Sequence, residues 1–317
     1  MATISAHEGL PGCGCSIERR AFDPETVHEN GFTGYQCSDC RLIYIAPRPS
    51  PESIANLYFH DKAHVRAASH IRTVLGRKLH ARMTVRIIHR HKQGGRLLEI
   101  GSGGGALLVA ASRFFEVAGV DFNPVQVAHI RDHLGLRCER GRYQDAFAGQ
   151  KFDIIYHCDV LSHLYDPIQE FRNMREMLNP GGIIVFETGN FGDLDPEQRS
   201  AITVFQYPDH IYFFSEKSLA TLFGRCLLKV VERVHFDRTR SDAFAKLLQT
   251  TANPFRAPIP ASSSTSTPAP ASNSHRRSFK TIIRDWLSVP EFFLCYLLGR
   301  NRRALTNRTQ IFVLAAI

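Results

Sequence analysis

Between Arg96 and Asn190 the chain alternates short apolar runs with stretches of helical period, and no other feature constrains its fold as tightly. Strands are expected at Leu97–Ile100, Val117–Asp121, Leu136–Glu139, Phe152–Cys158 and Ile183–Glu187, with helices at Ala106–Phe114, Pro124–Leu134 and Pro167–Leu178. Strands separated by helices cannot pair as tight hairpins, so they line up as a parallel sheet with helices on both faces. A helix near Ser218–Arg225 and a strand at Leu228–His235 extend the pattern. The expected fold class is α/β, a doubly wound and mostly parallel sheet.

The first strand carries the most informative local motif. Arg96-Leu-Leu-Glu-Ile-Gly101-Ser-Gly103-Gly-Gly105 is an apolar strand with an acid near its end, followed at once by a glycine loop that opens a helix. Glycines at 101 and 103 let the backbone turn sharply and approach a ligand where a side chain would collide. The second strand ends at Asp121, where a carboxylate can accept hydrogen bonds from both hydroxyls of a ribose. Loop and acid together point to a ribose-bearing cofactor, against the plainer reading of a tight strand-to-helix turn. Gly101, Gly103 and Ala106 also satisfy the looser dinucleotide fingerprint, so the glycines alone leave a nicotinamide-dependent oxidoreductase open.

Glu99, two residues before the first glycine, and the distal runs Phe152-Asp-Ile-Ile and Asn179-Pro-Gly-Gly-Ile-Ile-Val-Phe-Glu separate the two. With Asp159-Val-Leu-Ser-His163-Leu, Asp166-Pro and Glu187-Thr-Gly-Asn190, these residues resemble the class I S-adenosylmethionine-dependent methyltransferase family over roughly Gly94 to Asn190. The family's first motif reads acid-x-Gly-x-Gly-x-Gly, as Glu99 to Gly105 does. The resemblance implies a seven-stranded sheet closed by an antiparallel last strand, for which Gln310–Ala316 pairing with Leu228–His235 is the candidate. It also implies a cofactor site drawn from Glu99, Gly101, Ser102, Gly103, Gly105, Asp121, Phe122, Tyr143 and Asp159. In that site Glu99 and the loop backbone would hold the methionine portion, Asp121 the ribose, and Phe122 would flank the adenine. The stretch Gly141-Arg142-Tyr143-Gln-Asp145 departs from the family's usual adenine-binding acid, and Tyr143 backbone or Asp145 would take its place.

Methyl transfer from a sulfonium asks a protein mainly to aim the acceptor and exclude water. A hydroxyl acceptor adds the need for a base. His163, just past the fourth strand, and His210, in Tyr207-Pro-Asp-His-Ile-Tyr-Phe-Phe-Ser215, are the two candidates, each set against a purely structural role. Phe205, Tyr207, Tyr212 and Phe213 either line an acceptor pocket or are core.

Outside this region, Cys37-Ser-Asp-Cys40 has the spacing of a zinc-gripping pair that Cys13 and Cys15 would complete, with His28 a possible replacement, or else the cysteines are unmetallated. A cysteine-bearing segment ahead of the methyltransferase core also resembles a subset of bacterial-type family members that act on small molecules or sugars. Ile71, Leu75, Leu79, Met83 and Ile87 draw an apolar stripe on a helix whose other faces are Arg, Lys and His. The stretch Asn253–Ser274, rich in Pro, Ser, Thr and Ala, reads as a flexible linker over residues 253–277, ahead of a helix at 279–298. The chain thus divides into a zinc-ribbon-like module (1–50), a basic helical lead-in (51–93) and a methyltransferase domain (94–317).

The formal charge of +9 is concentrated, because the segment from Asp61 to Lys92 carries nine Lys and Arg against one acid. That face would suit an acidic partner, so a nucleic-acid methyltransferase is kept as an alternative, although aromatic residues for base stacking are missing from the helix. A solvated face is the commoner explanation. Hydrophobic content of 44% and charged content of 22% exclude disordered and fibrous classes. With no apolar run long enough for a signal or a span, the reading is a cytoplasmic enzyme acting on a small molecule, with a catalytically idle fold as the remaining rival.

Overall fold

The computed structural model describes residues 19–21, 28–50, 75–194, 205–237 and 308–317, with Ser53 and Ile71. The linker at 253–277, the helix at 279–298, and Cys13 and Cys15 lie outside the described residues. The amino-terminal part forms β1 (Arg19–Ala21), β2 (His28–Glu29), β3 (Phe32–Cys37) and β4 (Ile43–Ala46). After α1 (Leu75–His91) come β5 (Arg96–Ile100), α2 (Ala106–Ala111), β6 (Glu116–Asp121), α3 (Pro124–Ala128), β7 (Arg137–Arg140), α4 (Tyr143–Ala146) and β8 (Phe152–Cys158). The chain continues through α5 (Pro167–Glu176), β9 (Leu178–Gly189), β10 (Tyr212–Phe213), α6 (Glu216–Arg225), β11 (Leu228–Asp237) and β12 (Arg308–Ala316).

The large sheet runs in the order β11-β12-β9-β8-β5-β6-β7. Strands β5 to β9 pair in parallel, and β12 is antiparallel to both β9 and β11. The expected closing strand is therefore present, wedged between β9 and β11 with Leu228 opposite Ala316.

Period-two alternation explains why both faces are covered. Leu98, Ile155, Ile184, Phe186, Phe312 and Leu314 point into one apolar cluster, while Leu97, Ile154, Ile183, Val185, Ile311 and Val313 point into the other. The second cluster also takes in Ala81, Val85 and Ile88 of α1, which packs on the sheet beside α2.

Caps set the helix starts. Asn123 accepts from the Val125 and Gln126 amides ahead of Pro124, Asp166 accepts from the Gln169 amide ahead of Pro167, and Ser215 forms a capping box with Ser218. Helix α2 ends earlier than its apolar run, because the Phe114 and Phe115 amides fold back on the Ala111 carbonyl and turn the chain into β6. The expected helix Pro124–Leu134 widens into a π turn at His129–His133, which sets Ile130 and Leu134 against Gly105.

The amino-terminal strands do not stand apart. They form a small antiparallel sheet, β1-β3-β4-β10 with β2 on β3, whose last strand comes from the segment after β9. Cys37, Cys40, Leu42, Ile43 and Tyr44 bury in the same cluster as Phe186 and Phe312 of the large sheet.

Candidate functional site

The chain passes from β5 outward through β6 and β7, then returns to the other side of β5 with β8 and β9. This reversal makes the carboxyl ends of β5 and β8 the point at which doubly wound sheets bind ligands. The glycine loop stands at that point. Gly101, Gly103 and Gly105 have φ of 73°, 53° and 74°, in the left-handed region that glycine tolerates. A Cβ at Gly101 would sit 2.8 Å from Val160 Cγ2, and one at Gly105 would sit 2.9 Å from Ile130 and Leu134.

The loop's own amides are largely spent on holding it in place. Gly101 and Ser102 amides donate to the Val120 carbonyl (2.8 and 3.2 Å), Gly103 to Asp121 Oδ2 (2.9 Å), and Gly105 to the Ser102 carbonyl (2.9 Å). The Ser102 hydroxyl donates to the Glu99 carbonyl at 3.0 Å, so this side chain braces the loop from within. Asp121 accepts from the Asn123 amide as well (2.8 Å), and the Gln126 amide, with its nitrogen turned inward, would donate to both Asp121 oxygens. Phe122 beside it presents a ring that is 41% exposed.

Glu99 is buried at the end of β5, and its Oε2 has no hydrogen-bond partner among the described residues. Burial, then the neighbouring Asp121 carboxylate, hold its carboxyl well above the ordinary carboxylate range. Asp121, a buried Glu99 that a cation would stabilise in its ionised form, and a loop with four of its amides engaged make a site that favours a cationic ligand over a pyrophosphate.

The adenine-side residues are arranged differently from a simple strand-end reading. Tyr143 is buried in α4 and its hydroxyl donates to Glu170 Oε2 at 2.6 Å, which leaves its backbone as the part able to meet a ligand, while Asp145 is exposed. Asp159 follows β8 in a left-handed conformation, φ 54°, with its amide donating to the Glu187 carbonyl at 3.1 Å.

The two base candidates, 47 positions apart in the chain, come together: the His163 and His210 ring centroids are 4.6 Å apart. His163 Nδ1 lies 2.8 Å from the Asp209 carbonyl oxygen and 3.3 Å from its Oδ1. His210 Nδ1 lies 3.2 Å from the Phe205 carbonyl oxygen. Phe191, Phe205, Tyr207 and Phe213 pack beside this pair with centroids 4.9–6.2 Å apart, three of them buried. Asp209 was not singled out from the sequence, since an acid beside a proline carries no periodic signal.

A second buried carboxylate was also missed. Glu187 at the end of β9 is fully buried and accepts from Thr84 (2.9 Å) and Tyr156 (2.7 Å), with His80 Nε2 at 2.6 Å. Burial would raise its pKa, yet His80, Tyr156 and Thr84 together bring it down to about 2.

Cys37 and Cys40 flank a tight turn in which the Cys37 amide donates to the Leu42 carbonyl, the Arg41 amide to the Cys37 carbonyl, and Arg41 adopts φ 61°. Among the described residues no group of three or more His, Cys, Asp or Glu is placed to hold a metal ion, and no helix is long and apolar enough to cross a membrane.

A family model described as a methyltransferase domain matches residues 68–233, just over half of the chain. Ubiquinone biosynthesis O-methyltransferase of Cereibacter sphaeroides (strain ATCC 17025 / ATH 2.4.3) is 36% identical over 105 residues, covering 31% of this chain and 42% of the relative. The enzyme of the same description from Azorhizobium caulinodans is 33% identical over 108 residues, covering 32% and 43%. The chain thus spans less than half the length of these relatives. The solved structure of an S-adenosylmethionine-dependent methyltransferase from Geobacter sulfurreducens, in complex with S-adenosylhomocysteine, superposes with a TM-score of 0.44 at 18% identity, covering 75% of this chain and 91% of that one. On its matched domain, and on the motif and sheet order that accompany it, this chain belongs to the class I S-adenosylmethionine-dependent methyltransferase family.

Proposed function

We propose that this chain transfers a methyl group from S-adenosylmethionine to an oxygen of a small-molecule acceptor. The observation that carries the reading is the buried Oε2 of Glu99, without a hydrogen-bond partner among the described residues, beside a glycine loop in which the amides of Gly101, Ser102, Gly103 and Gly105 are already engaged. A buried carboxylate oxygen without a donor costs about 1–3 kcal/mol, a penalty that an ammonium-bearing ligand would remove. The residues present fit this cofactor better than a dinucleotide, because Asp121, and Glu99 once a cation draws it into its ionised form, attract a cation and repel a phosphate.

In this reading Glu99 holds the ligand's ammonium group and Asp121 its ribose hydroxyls, with Phe122 and the Tyr143 backbone at the adenine. When bound, S-adenosylmethionine supplies a methyl group activated by the positive charge on sulfur. The acceptor oxygen must lose its proton as it attacks, and His163 or His210 takes that proton at a ring nitrogen. The names of the curated relatives support oxygen as the acceptor atom.

The test is calorimetry with S-adenosylmethionine, S-adenosylhomocysteine and NAD, followed by mass spectrometry of a metabolite pool for gain of one methyl group. Binding of the first two without NAD, and a methylated product, are expected; NAD binding alone would overturn the assignment.

A second reading rests on the exposed Arg77, Lys78, Arg82 and Arg86 of α1, a basic face suited to a nucleic-acid acceptor. RNA affinity falling steeply with added salt would favour it, and no RNA binding at low salt would remove it. The turn at Cys37 and Cys40 supports a structural zinc site completed by Cys13 and Cys15. Metal analysis of the purified protein checks this, and a Cys37→Ser variant with full metal content would refute it.

A further inference from the structure

The histidine pair is only as well placed as the segment 205–210 that supports it, and what holds that segment is the amino-terminal hairpin. Strands β2 and β3 are joined at Asn30-Gly31, both with positive φ (54° and 83°), which is the geometry of a tight two-residue hairpin turn. From the tip, Glu29 Oε2 accepts the amides of Phe205 (2.8 Å) and Gln206 (3.0 Å), and Asn30 Nδ2 donates to the Tyr207 carbonyl at 2.6 Å. Gln206 adopts φ 64°, a conformation that costs a non-glycine residue about 1 kcal/mol or more and persists only where surroundings enforce it. The Gln206 carbonyl then accepts the His210 amide (3.1 Å), and the Ile211 amide donates to the Ser162 carbonyl (2.9 Å), next to His163.

The clamp has a consequence for proton placement. A carbonyl oxygen can only accept, so the Nδ1 of His163 at the Asp209 carbonyl and the Nδ1 of His210 at the Phe205 carbonyl each carry a proton. In both rings, when neutral, Nε2 is then the basic nitrogen. The Phe205 carbonyl that fixes His210 belongs to the residue whose amide Glu29 holds.

We propose that the hairpin tip Glu29-Asn30 is a positioning element of the acceptor side, with Glu29 a positioning residue that fixes the Nδ1–H tautomers of His163 and His210 through the 205–210 loop. The role assigned to the two histidines rests on the methyl-transfer reading above; the tautomer claim does not. The amino-terminal sheet is on this view part of the active site's framework.

The experiment is a long-range proton–nitrogen NMR correlation of the full chain, with the two rings assigned through His163→Gln and His210→Gln variants. Wild-type protein is expected to show both rings with protons on Nδ1. A Glu29→Ala variant should move both toward the Nε2–H form that predominates for a free ring, with S-adenosylhomocysteine affinity within twofold of wild type. A Glu29→Gln variant, whose amide oxygen can still accept both backbone amides, should restore the wild-type signature. With 3,4-dihydroxybenzoate as a probe acceptor, Glu29→Ala should lower kcat at least tenfold and leave KM for S-adenosylmethionine unchanged.

Unchanged ring signatures in Glu29→Ala would overturn the proposal, as would wild-type rings protonated on Nε2. If Glu29→Ala does not fold, Asn30→Gly keeps the turn's backbone, removes the Tyr207 contact, and is read by the same signatures with the same two outcomes. Failure of the methyl-transfer reading would show separately, as absence of S-adenosylhomocysteine binding in the wild type.

Discussion

At the scale of single residues, Glu99 couples ligand binding to protonation. Its carboxyl is held up first by burial and then by Asp121, so part of the population is neutral at pH values where an exposed glutamate is fully ionised. A cationic ligand binds the ionised form, and binding therefore expels a proton. Affinity for S-adenosylmethionine is expected to tighten as pH rises above the range in which an exposed glutamate ionises, by up to about tenfold per pH unit. Calorimetry over those pH values checks the slope; a Glu99→Gln variant should lose it and bind about 10- to 100-fold more weakly, the loss of a charge-assisted hydrogen bond. Glu99 and Asp121 were legible in the sequence because a strand's period and the glycine that follows place its last residues at the ligand-binding end of the sheet. Ser102 and Tyr143 were legible only as positions. Whether a side chain faces a ligand or its own scaffold depends on packing, and the Ser102 hydroxyl turns to the Glu99 carbonyl while the Tyr143 hydroxyl turns to Glu170.

At the scale of elements, α1 is latched across the sheet by His80 and Thr84 on Glu187. The helix could be foreseen from its apolar stripe, but its latch could not, since Glu187 read as a strand end within a family landmark and nothing in the sequence pairs it with His80 and Thr84. The latch and its neighbour His157 predict acid sensitivity. Burial between Phe171 and Phe186 pushes the His157 pKa down to about 3, so the native state holds it neutral while the unfolded chain titrates near 6.5. Its stability contribution is intact above that unfolded value and is lost as pH falls from about 6.5 toward 3. Glu187, depressed to about 2, contributes stability above its unfolded value of about 4.5 that is lost between there and 2. Urea unfolding at a series of pH values should therefore show stability declining in two overlapping stages. A His157→Phe variant should flatten the upper stage. A Glu187→Gln variant should cost about 3 kcal/mol at neutral pH and flatten the lower one. Coincident curves for wild type and both variants would contradict this account.

At the scale of the whole molecule, β12 joins two distant parts of the chain, and the sheet depends on it. Ile311, Phe312, Val313 and Leu314 are all buried between β9 and β11, each contributing about 1.5–3 kcal/mol of burial, against a total stability of about 5–15 kcal/mol for a domain. Removing residues 308–317 should leave no folded sheet. The register shows how little chain is needed to reach that strand, because Asp237 at the end of β11 pairs with Arg308 at the start of β12. Two antiparallel strands in that register can be joined by a two-residue Asn-Gly turn, so residues 238–307 are an insertion at a hairpin as far as the sheet is concerned. The closing strand was legible from the resemblance to a seven-stranded family, but its register was not, since strand pairing across an insertion leaves no local trace. A variant with Asn-Gly in place of 238–307 should keep a melting temperature within a few degrees of wild type and bind S-adenosylhomocysteine within about threefold, because no cofactor-site residue is removed. Thermal unfolding and calorimetry decide the matter: an aggregated or molten variant would mean that the inserted residues supply core the sheet cannot do without, and a folded variant that binds cofactor but methylates nothing would assign them to the acceptor.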